Sequence, residues 1–521
     1  MPLLLAIMMA GGIFIGKKLQ HCQNINIIAS SNNKLIGVLN YIEEEYVDTV
    51  STYDLLETAI PAMLESLDPH SSYIPAKDLV RANESLEGNF SGIGVQFNMQ
   101  NDTVVIIQTI PNGPSEKVGI LAGDRIVKVN DSTVAGKKIP SDNIVGMLKG
   151  KRGTKVEVSI LRKDYPELID YEIIRDNIPL YSVDVSYMAD PGIGYIKINQ
   201  FSKTTHEEFL SSIDDLYEQG MVKLILDLRG NGGGFMGTAT QIANEFLPKG
   251  KLIVYTEGRT NPRYNYYATE DGTCLNLETI VLIDEYSASA SEILAGALQD
   301  NDRATIIGRR SFGKGLVQEQ SIFSDGSAIR LTVARYYTPT GRCIQKPYEN
   351  GAKDYYNELN TRYEHGEFEE IDSIQFDNKL KYITPGRKIV YGGGGIMPDI
   401  FIPMDTSGIS NYFIKVRSLG LIYRFSFQYA DNHRKDLSKL SDYKAFNRYL
   451  DNKNILDEFV NFASANGIEK TPGDIDLSSF LLKTMIKAQI ARNIIDNKGY
   501  YPILKDIDNT LLKSIDVLEK E

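Results

Sequence analysis

Residues 278–318 constrain the fold most, because an apolar strand pattern runs there through a cluster of serines into a helical pattern. Residues 280–283 are short and wholly apolar, which is typical of a buried strand. The serine cluster at 287–292 (SASASE) follows, and apolar residues then recur at helical spacing. Such a turn holds a hydroxyl at a helix N-terminus, where free N–H groups and the helix dipole favour developing negative charge.

The same stretch carries a lysine between two glycines at 312–315 (FGKG), followed by Gln318. A serine at a strand-to-helix turn and a glycine-flanked lysine outline a serine hydrolase that uses lysine as its base. Two structural interpretations compete with this one. Serine is a common N-cap, and Glu292 has the spacing of a capping box with Ser289. A lysine between glycines is also compatible with a solvated loop.

Length and composition limit the classes of protein that need to be considered. A chain of 521 residues predicts about three to four domains. The net charge of −12 argues against nucleic acid as a partner. Three cysteines cannot form a disulfide framework and lack metal-ligand spacing. A serine hydrolase with a lysine base works without a metal or cofactor, and neither is expected.

The N-terminal residues 1–15 are nearly all apolar and precede two lysines. This length is short for a spanning helix and suits a signal sequence or a marginal anchor. We therefore predict a signal or membrane-anchor segment at 1–22 and membrane attachment through residues 1–16. The remainder is expected to be exported and periplasmic, attached to the inner membrane. A buried N-terminal core helix is the alternative.

Changes in pattern divide the rest of the chain into four parts. Residues 23–86 combine a polar linker with helical spacing, and 87–175 are rich in β-branched residues at strand spacing. Residues 176–404 contain the strand-to-helix motifs, and 405–521 have a helical pattern with charged faces. For this last part we predict packing or self-association into a homo-oligomer.

A glycine-bracketed apolar loop at 91–95 begins the β-rich part. It resembles the loop with which PDZ domains cradle the terminal carboxylate of a peptide, whose chain then adds as a strand. The residues that the resemblance makes peptide-binding are Gly92, Ile93, Gly94 and Val95. Ile93 and Val95 suggest an apolar last residue in the ligand. A β-hairpin turn without a ligand is the alternative.

Residues 227–234 (DLRGNGGG) follow a buried strand and precede a helical pattern, which is typical of a βαβ unit. Glycine-rich turns of this kind also bind phosphates, but neither a Gly-Lys-Ser/Thr ending nor G-x-G-x-x-G spacing is present. An exposed N–H at Gly234 suits an oxyanion hole equally well.

Together these motifs, with 395–399 (GIMPD), resemble the carboxyl-terminal processing proteases, also called tail-specific proteases. The resemblance covers residues 35–403. It implies a multi-domain α/β protein whose Clp-protease/crotonase-like core carries an inserted, β-barrel-like PDZ domain. An N-terminal helical unit and a helical C-terminal extension complete this fold. The implied activity is ATP-independent cleavage of proteins near their C-termini, after capture of an apolar C-terminal tail.

The resemblance also assigns roles to residues. It makes Ser289 the nucleophile, Lys314 the general base and Gln318 the residue that orients the lysine. The backbone N–H groups of Gly234 and Ala290 form the oxyanion hole, and Arg229 and Glu292 are supporting residues.

Lys314 can act as a base only if its amine is neutral, which requires a lowered pKa. A lysine in water is protonated at neutral pH, and burial, here beside Phe312 and Leu316, lowers such a pKa. Lys314 and Gln318 are four residues apart, so a helical turn would bring their side chains together, whereas a strand would separate them by about 13 Å. We therefore predict a helical turn at 314–318.

Three rival hypotheses remain open from the sequence. A Ser-His hydrolase would need one of five histidines, and none lies in a glycine-rich or strand-end context. His70 follows a turn and His206 opens a helix, so both are expected to be structural or solvated. A non-catalytic PDZ adaptor would bind tails without cutting them. In a third hypothesis the PDZ domain gates the site.

Overall fold

The structure, a computed structural model, describes residues 8–9, 11–13, 34–163, 165–374 and 377–520. The predicted signal or anchor segment therefore lies mostly outside the described residues. Among the helices that are described, none combines the length and the apolar character needed to cross a bilayer. The chain divides into two compact units, residues 1–79 with 319–332 and residues 80–318 with 333–521.

Helices and strands occur along the whole of the described part of the chain. The helices are α1 Lys34–Glu45, α2 Thr52–Glu65, α3 Leu79–Glu87, α4 Pro114–Lys117, α5 Ser141–Leu148, α6 Thr205–Glu218, α7 Met236–Phe246, α8 Ala290–Asp300, α9 Ala352–Glu364, α10 Asn411–Ser418, α11 Leu421–Asn432, α12 Arg434–Leu437, α13 Tyr443–Asp451, α14 Ile455–Ala465, α15 Pro472–Leu477, α16 Ser479–Ile495, α17 Asn497–Leu504 and α18 Asn509–Lys520. The strands are β1 Ser72–Ile74, β2 Asn89–Gly92, β3 Val95–Gln100, β4 Thr103–Thr109, β5 Arg125–Val129, β6 Ser132–Thr133, β7 Lys155–Leu161, β8 Ile169–Ile174, β9 Asp176–Pro179, β10 Val183–Asp190, β11 Ile193–Ile198, β12 Lys223–Asp227, β13 Leu252–Glu257, β14 Tyr264–Tyr267, β15 Glu278–Ile283, β16 Thr305–Gly308, β17 Leu316–Ile322, β18 Ala328–Tyr337, β19 Lys381–Ile383, β20 Ile389–Tyr391 and β21 Ile400–Phe401.

The smaller unit contains helices α1 and α2 from the region 23–86 that was predicted to be helical, whereas α3 belongs almost wholly to the larger unit. Helices α1 and α2 precede β1, which pairs antiparallel with residues 328–330 of β18. The turn between α2 and β1 is closed by Asp68, whose carboxylate accepts the backbone N–H groups of His70 and Ser71 and the hydroxyl of Ser71. A buried carboxylate that accepts several local donors fixes a turn, so this is a structural use of the predicted turn residues.

The β-rich part forms an antiparallel sheet in the order β3-β4-β5-β7-β8, with β6 paired to β5. Its apolar side chains enclose a separate core that includes Ile106, Ile126 and Ile160. Before this sheet the chain passes through β2, and after it through β9, and these two strands pair with each other. The chain thus enters and leaves the β-rich part at one place, as expected of an inserted domain.

The larger unit is built on a six-stranded sheet in the order β10-β11-β12-β15-β16-β21, parallel except for the β10–β11 pair. Alternate residues of its strands point to opposite faces. Leu224 and Leu226 pack on the face that α6, α7 and α8 cover. Ile225 and Leu282 pack on the other face. Both faces are buried, which explains the continuous apolar runs in the sequence.

The C-terminal part is helical, as predicted. Helices α10–α17 share an apolar core that includes Phe425, Phe459 and Ile486. The last helix, α18, lies apart from that core and packs Leu511, Ile515 and Leu518 on the second face of the six-stranded sheet. The C-terminal part therefore supplies one layer of the sheet on which the serine turn is built.

Candidate active site

Ser289 lies at the turn between β15 and α8, where the sequence places the nucleophile. Its backbone has φ 55° and ψ −113°, a strained conformation for a residue other than glycine. The neighbouring Ser287 and Ser291 are fully buried, and their hydroxyls donate to the carbonyls of Leu228 (2.9 Å) and Asn231 (2.8 Å). Ser289 is half-buried, so it is the hydroxyl of the three that a substrate can reach.

The glycine-rich loop packs directly against this serine. A Cβ at Gly233 would lie 2.7 Å from the Cβ of Ser289, and its φ of +105° favours glycine. The loop is held by Asn231, whose side-chain oxygen accepts the Gly233 N–H (2.9 Å) and whose carbonyl accepts the Ala288 N–H (3.0 Å). Only a residue without a side chain allows this approach, which is why glycine occupies position 233.

The backbone N–H groups of Ala290 and Gly234, predicted to form the oxyanion hole, are positioned by α8 and by the glycine-rich loop. Ala290 is the first residue of α8, so its N–H has no partner within the helix. Phe201 forms a parallel bridge with Gly234 by donating to the Gly233 carbonyl (2.9 Å) and accepting from Phe235 (2.8 Å). In such a bridge the bonds are made by the residues on either side, so the Gly234 N–H points away from Phe201.

Glu292 is buried behind Ser289, and its carboxylate accepts four hydrogen bonds. Its Oε2 accepts the backbone N–H groups of Ser289 and Lys314 (both 2.9 Å), and its Oε1 accepts the N–H of Gly313 (2.7 Å) and the hydroxyl of Ser311 (2.5 Å). Burial raises the pKa of Glu292 to about 7, against these hydrogen bonds, which lower it. Sequence spacing identified only the local contact with Ser289. The carboxylate also binds residues 311–314, the lysine loop.

We expect Glu292→Gln to remove a pH dependence from the free energy of unfolding. The folded-state pKa of about 7 exceeds the ordinary 4.5, so between these values the folded protein holds a proton that the unfolded chain has released. The stability that this carboxyl contributes is present below pH 4.5 and is lost as the pH rises through 7. A shift of this size corresponds to about 3 kcal/mol.

Urea unfolding of wild type and Glu292→Gln across this pH window measures the effect. The difference in unfolding free energy, wild type minus variant, should fall as the pH rises. The glutamine also places an amide NH₂ against N–H donors, so the variant should lose about 1–3 kcal/mol in addition. A difference that does not change with pH would contradict the assigned burial of the carboxyl.

Lys314 and Ser289 are linked by a second residue, which sequence reasoning missed. The hydroxyl of Tyr336 lies 2.5 Å from the carbonyl oxygen of Lys314 and 3.1 Å from that of Ser289. Burial, and next the charge of Glu292, raise the pKa of Tyr336 well above its ordinary value, so its hydroxyl stays a donor. Because one carboxylate accepts both N–H groups and one hydroxyl faces both carbonyls, the two backbones run side by side.

The predicted helical turn at 314–318 is wrong. Residues 316–322 form β17, which pairs with β18. Pairing with a distant strand overrode the local spacing, and a strand does not bring residues four apart together. Gln318 lies on this strand and is half-buried, so the argument that it orients Lys314 by helical proximity is lost.

The lysine loop, which carries Lys314, packs against a second and buried lysine, Lys346. Sequence reasoning missed this residue as well. The Nζ of Lys346 lies 3.9 Å from the ring centre of Phe312 and 4.4 Å from that of Tyr355, and it pairs with Glu358 at 2.8 Å. Its backbone N–H donates to the Gly313 carbonyl (2.9 Å). Burial lowers the pKa of Lys346. No local pattern in the sequence distinguishes this lysine from a solvated one.

Arg229 lies where the glycine-rich loop leaves β12. Its guanidinium contacts Asp227 (2.6 Å) and Asp508 (2.7 Å). Burial alone would raise the pKa of Asp227, but Arg229 and Lys197 hold it well below its usual range. Asp227 and Arg229 are thus a structural ion pair beside the glycine-rich loop.

The predicted peptide-binding loop lies at the start of β3, an edge strand of the β-rich sheet. The carbonyl of Ile93 accepts the N–H (3.0 Å) and hydroxyl (2.6 Å) of Ser115, and that of Gly94 accepts the Ile110 N–H (2.9 Å). Because peptide units are trans, the N–H groups of Gly94 and Val95 point the other way. The Ile93 side chain is 3% exposed and belongs to the domain core, so the loop offers its backbone rather than that side chain.

Two of the described histidines make side-chain contacts within the fold. His206 on α6 pairs with Glu245 on α7 at 2.8 Å, and His433 Nδ1 lies 2.9 Å from the Tyr429 carbonyl. His21 lies outside the described residues. Over the described ranges, no three histidine, cysteine or acidic side chains are grouped as metal ligands would be.

Comparisons with known proteins identify the families that this chain resembles. The model of peptidase family S41 matches residues 192–353, that of the PDZ domain matches 91–173, and residues 412–496 match a family of unknown function. The chain is 36% identical to the carboxy-terminal processing protease CtpA of Bacillus subtilis over 61% of this chain and 67% of that protein. It is 37% identical to the carboxy-terminal-processing protease of Bartonella bacilliformis, over 59% and 71% respectively. The structure of the photosystem II D1 C-terminal processing protease aligns over 72% of this chain and 94% of that one, with 25% identity and a TM-score of 0.36.

The fold and the site define a serine peptidase that carries a PDZ domain. The chain belongs to peptidase family S41, together with relatives named carboxy-terminal processing proteases. The family and fold predicted from the sequence motifs are thereby confirmed.

Proposed function

We propose that this protein is an ATP-independent endopeptidase that captures apolar C-terminal tails and cuts the captured protein near its C-terminus. One observation carries the mechanism. The backbone of Ser289, whose hydroxyl is accessible, is linked to the backbone of Lys314 through Glu292 and Tyr336. The glycine-rich loop that ends at Gly234 packs against this serine, and Ala290 follows it as the first residue of α8. Nucleophile, base and oxyanion donors are the three parts that acyl transfer requires.

The reaction follows from these positions. The neutral amine of Lys314 takes the hydroxyl proton as the Ser289 Oγ attacks the peptide carbonyl carbon. The N–H groups of Gly234 and Ala290 stabilise the resulting oxyanion. Lys314 then gives its proton to the leaving amine, which departs and leaves an ester on Ser289. Water, deprotonated by the same amine, hydrolyses that ester and restores the serine.

Tail capture is supported by the backbone of the β-rich domain. The N–H groups of Gly94 and Val95 point away from Ser115 and Ile110, which bind the carbonyls of the same peptide units, and can receive a terminal carboxylate, as in β-strand addition. Among the described strands β3 pairs only with β4, so its other edge offers the ladder hydrogen bonds for the residues that precede the carboxylate. An apolar last residue remains our expectation for the ligand.

Location and assembly are proposals that rest on sequence patterns. The apolar residues 1–16 suggest export to the periplasm with attachment to the inner membrane. Self-association through the C-terminal helices is proposed from their apolar spacing. Part of that spacing is accounted for by packing within this chain, since α18 covers the six-stranded sheet.

Cleavage of an unstructured substrate tests the function. We expect a flexible protein with an apolar C-terminal residue to be cut by wild type, and its twin with a terminal aspartate to be cut much more slowly. Mass spectrometry of the fragments should place the cut near the C-terminus. His70→Ala and His206→Ala should keep activity. Binding without any cleavage would favour the adaptor hypothesis, and loss of cleavage in a folded histidine variant would favour a Ser-His mechanism.

A further inference from the structure

The contact between Arg229 and Asp508 joins the glycine-rich loop to the C-terminal part of the chain. Nη1 and Nη2 of Arg229 donate to the two carboxylate oxygens of Asp508, at 2.8 and 2.7 Å. The Nε and Nη2 of the same guanidinium donate to Asp227, at 3.0 and 2.6 Å. The planar fork is therefore held between two carboxylates, a geometry that restricts its orientation more than a single ion pair does.

Asp508 is itself fixed. Its Oδ1 accepts the backbone N–H of Leu511 (3.0 Å) and its carbonyl accepts that of Leu512 (2.9 Å), so it caps α18. Helix α18 is in turn packed on the six-stranded sheet through Leu511, Ile515 and Leu518. The carboxylate thus has a position set by the sheet and not by a mobile surface chain.

Packing alone does not hold Arg229 in place. The guanidinium lines a cavity of about 280 Å³, whose other walls include Tyr187, Tyr501 and Asp508. Atoms that face a cavity lack van der Waals partners on that side. Hydrogen bonds to the two carboxylates therefore determine where the side chain lies.

Arg229 lies at the start of the loop that ends at Gly234, the proposed oxyanion donor. Its carbonyl accepts the amine of Lys197 (2.9 Å), and the next N–H, of Gly230, donates to Asp284 (2.9 Å). Asn231 and Gly233 then contact the turn that carries Ser289. Gly230, Asn231 and Gly233 are each held by hydrogen bonds or close contact, so a shift at Arg229 is transmitted along this short segment to Gly234.

We propose that Asp508 is a positioning residue for the oxyanion hole, acting through Arg229 on the loop that carries Gly234. This role rests on the proposed peptidase mechanism. The C-terminal part of the chain, which lies beyond the residues matched to peptidase family S41, thereby contributes to the rate through Arg229.

Asp508→Asn and Asp508→Ser test the proposal. Both residues are good N-caps, so α18 keeps its start, while the charged bidentate contact with Arg229 is lost. Losing an oxyanion donor costs about 10²–10³ in rate, and loosening one should cost less, about tenfold in kcat. KM for a flexible substrate should change less than about twofold, because no contact with the bound peptide is removed. Phosphonylation of Ser289 by a fluorophosphonate should slow by the same factor as kcat.

The matched control is Asp516→Asn on the same helix. Asp516 pairs with Lys513 and Lys520 at the surface and lies away from Arg229, so this variant should equal wild type. Arg229→Met completes a double-mutant cycle. If Asp508 acts through Arg229, adding Asp508→Asn to Arg229→Met should change kcat by less than about twofold.

Two results would overturn the proposal: a folded Asp508→Asn and Asp508→Ser pair with wild-type kcat, or effects of the two sites that multiply in the double variant. Thermal unfolding establishes that each variant is folded at the assay temperature. A wild-type enzyme that cuts no substrate and resists phosphonylation would instead refute the proposed mechanism, and this outcome is distinct because it does not involve position 508.

Discussion

Ser289→Ala should abolish turnover while leaving tail binding intact. Removing the nucleophile of a serine peptidase costs about 10⁶-fold in kcat, because the remaining oxyanion donors accelerate attack by water only weakly. Ser287→Ala and Ser291→Ala are the matched controls, since these hydroxyls are buried and donate to loop carbonyls. Each should lose only the stability of the hydrogen bonds that its hydroxyl makes, about 0.5–1.5 kcal/mol for each bond, and should still cut the substrate.

Two measurements together check this result. Release of fragments from an apolar-tailed substrate gives kcat, and fluorescence anisotropy of a labelled tail peptide gives its Kd. The Ser289→Ala protein should bind the peptide with the wild-type Kd, because the PDZ loop lies in a separate domain with its own core. Residual cleavage above background would refute the assignment of the nucleophile.

Lys314→Met should reduce kcat by about as much as loss of the serine. Nucleophile and base act as one unit, so the double variant with Ser289→Ala should be no slower than either single variant, with a loss of about 10⁶-fold in each case. Methionine keeps the length and apolar stem of the side chain. The Lys314 backbone contacts with Glu292 and Tyr336 should therefore be retained.

Lys314→Arg separates basicity from charge. A guanidinium keeps the positive charge but cannot be deprotonated in a protein, so it cannot serve as the base. We expect this variant to be as inactive as Lys314→Met. Single-turnover measurements of acyl-enzyme formation should locate the loss in the first chemical step. Substantial activity in Lys314→Arg would mean that the amine contributes its charge and not its lone pair.

Local patterns were sufficient to predict the elements that carry the site. The apolar run 280–283 and the serines after it predicted the strand-to-helix turn, and the structure has β15 and α8 there. The glycine-rich loop was predicted to follow a strand because glycine and asparagine end an apolar run, and it follows β12. In each case the residues that predict the strand and its turn lie within one short segment of the sequence.

The contacts between distant segments could not be predicted from spacing. Tyr336 and Asp508 meet the site only after the sheet has formed, and no local pattern distinguishes them from other tyrosines and aspartates. The error at 314–318 has the same origin. Helical proximity was inferred from a pair of residues, whereas pairing between β17 and β18 decided the backbone conformation.

The position of α18 on the six-stranded sheet has a consequence for how the enzyme is made. The ribosome synthesises β12 and β15 long before it synthesises α18, the helix that covers Ile225 and Leu282. Until then the growing chain has an uncovered apolar sheet face, which favours aggregation and chaperone binding. The helix that buries this sheet face is therefore synthesised last. A chain that ends before α18 should leave the face exposed and should aggregate or be degraded.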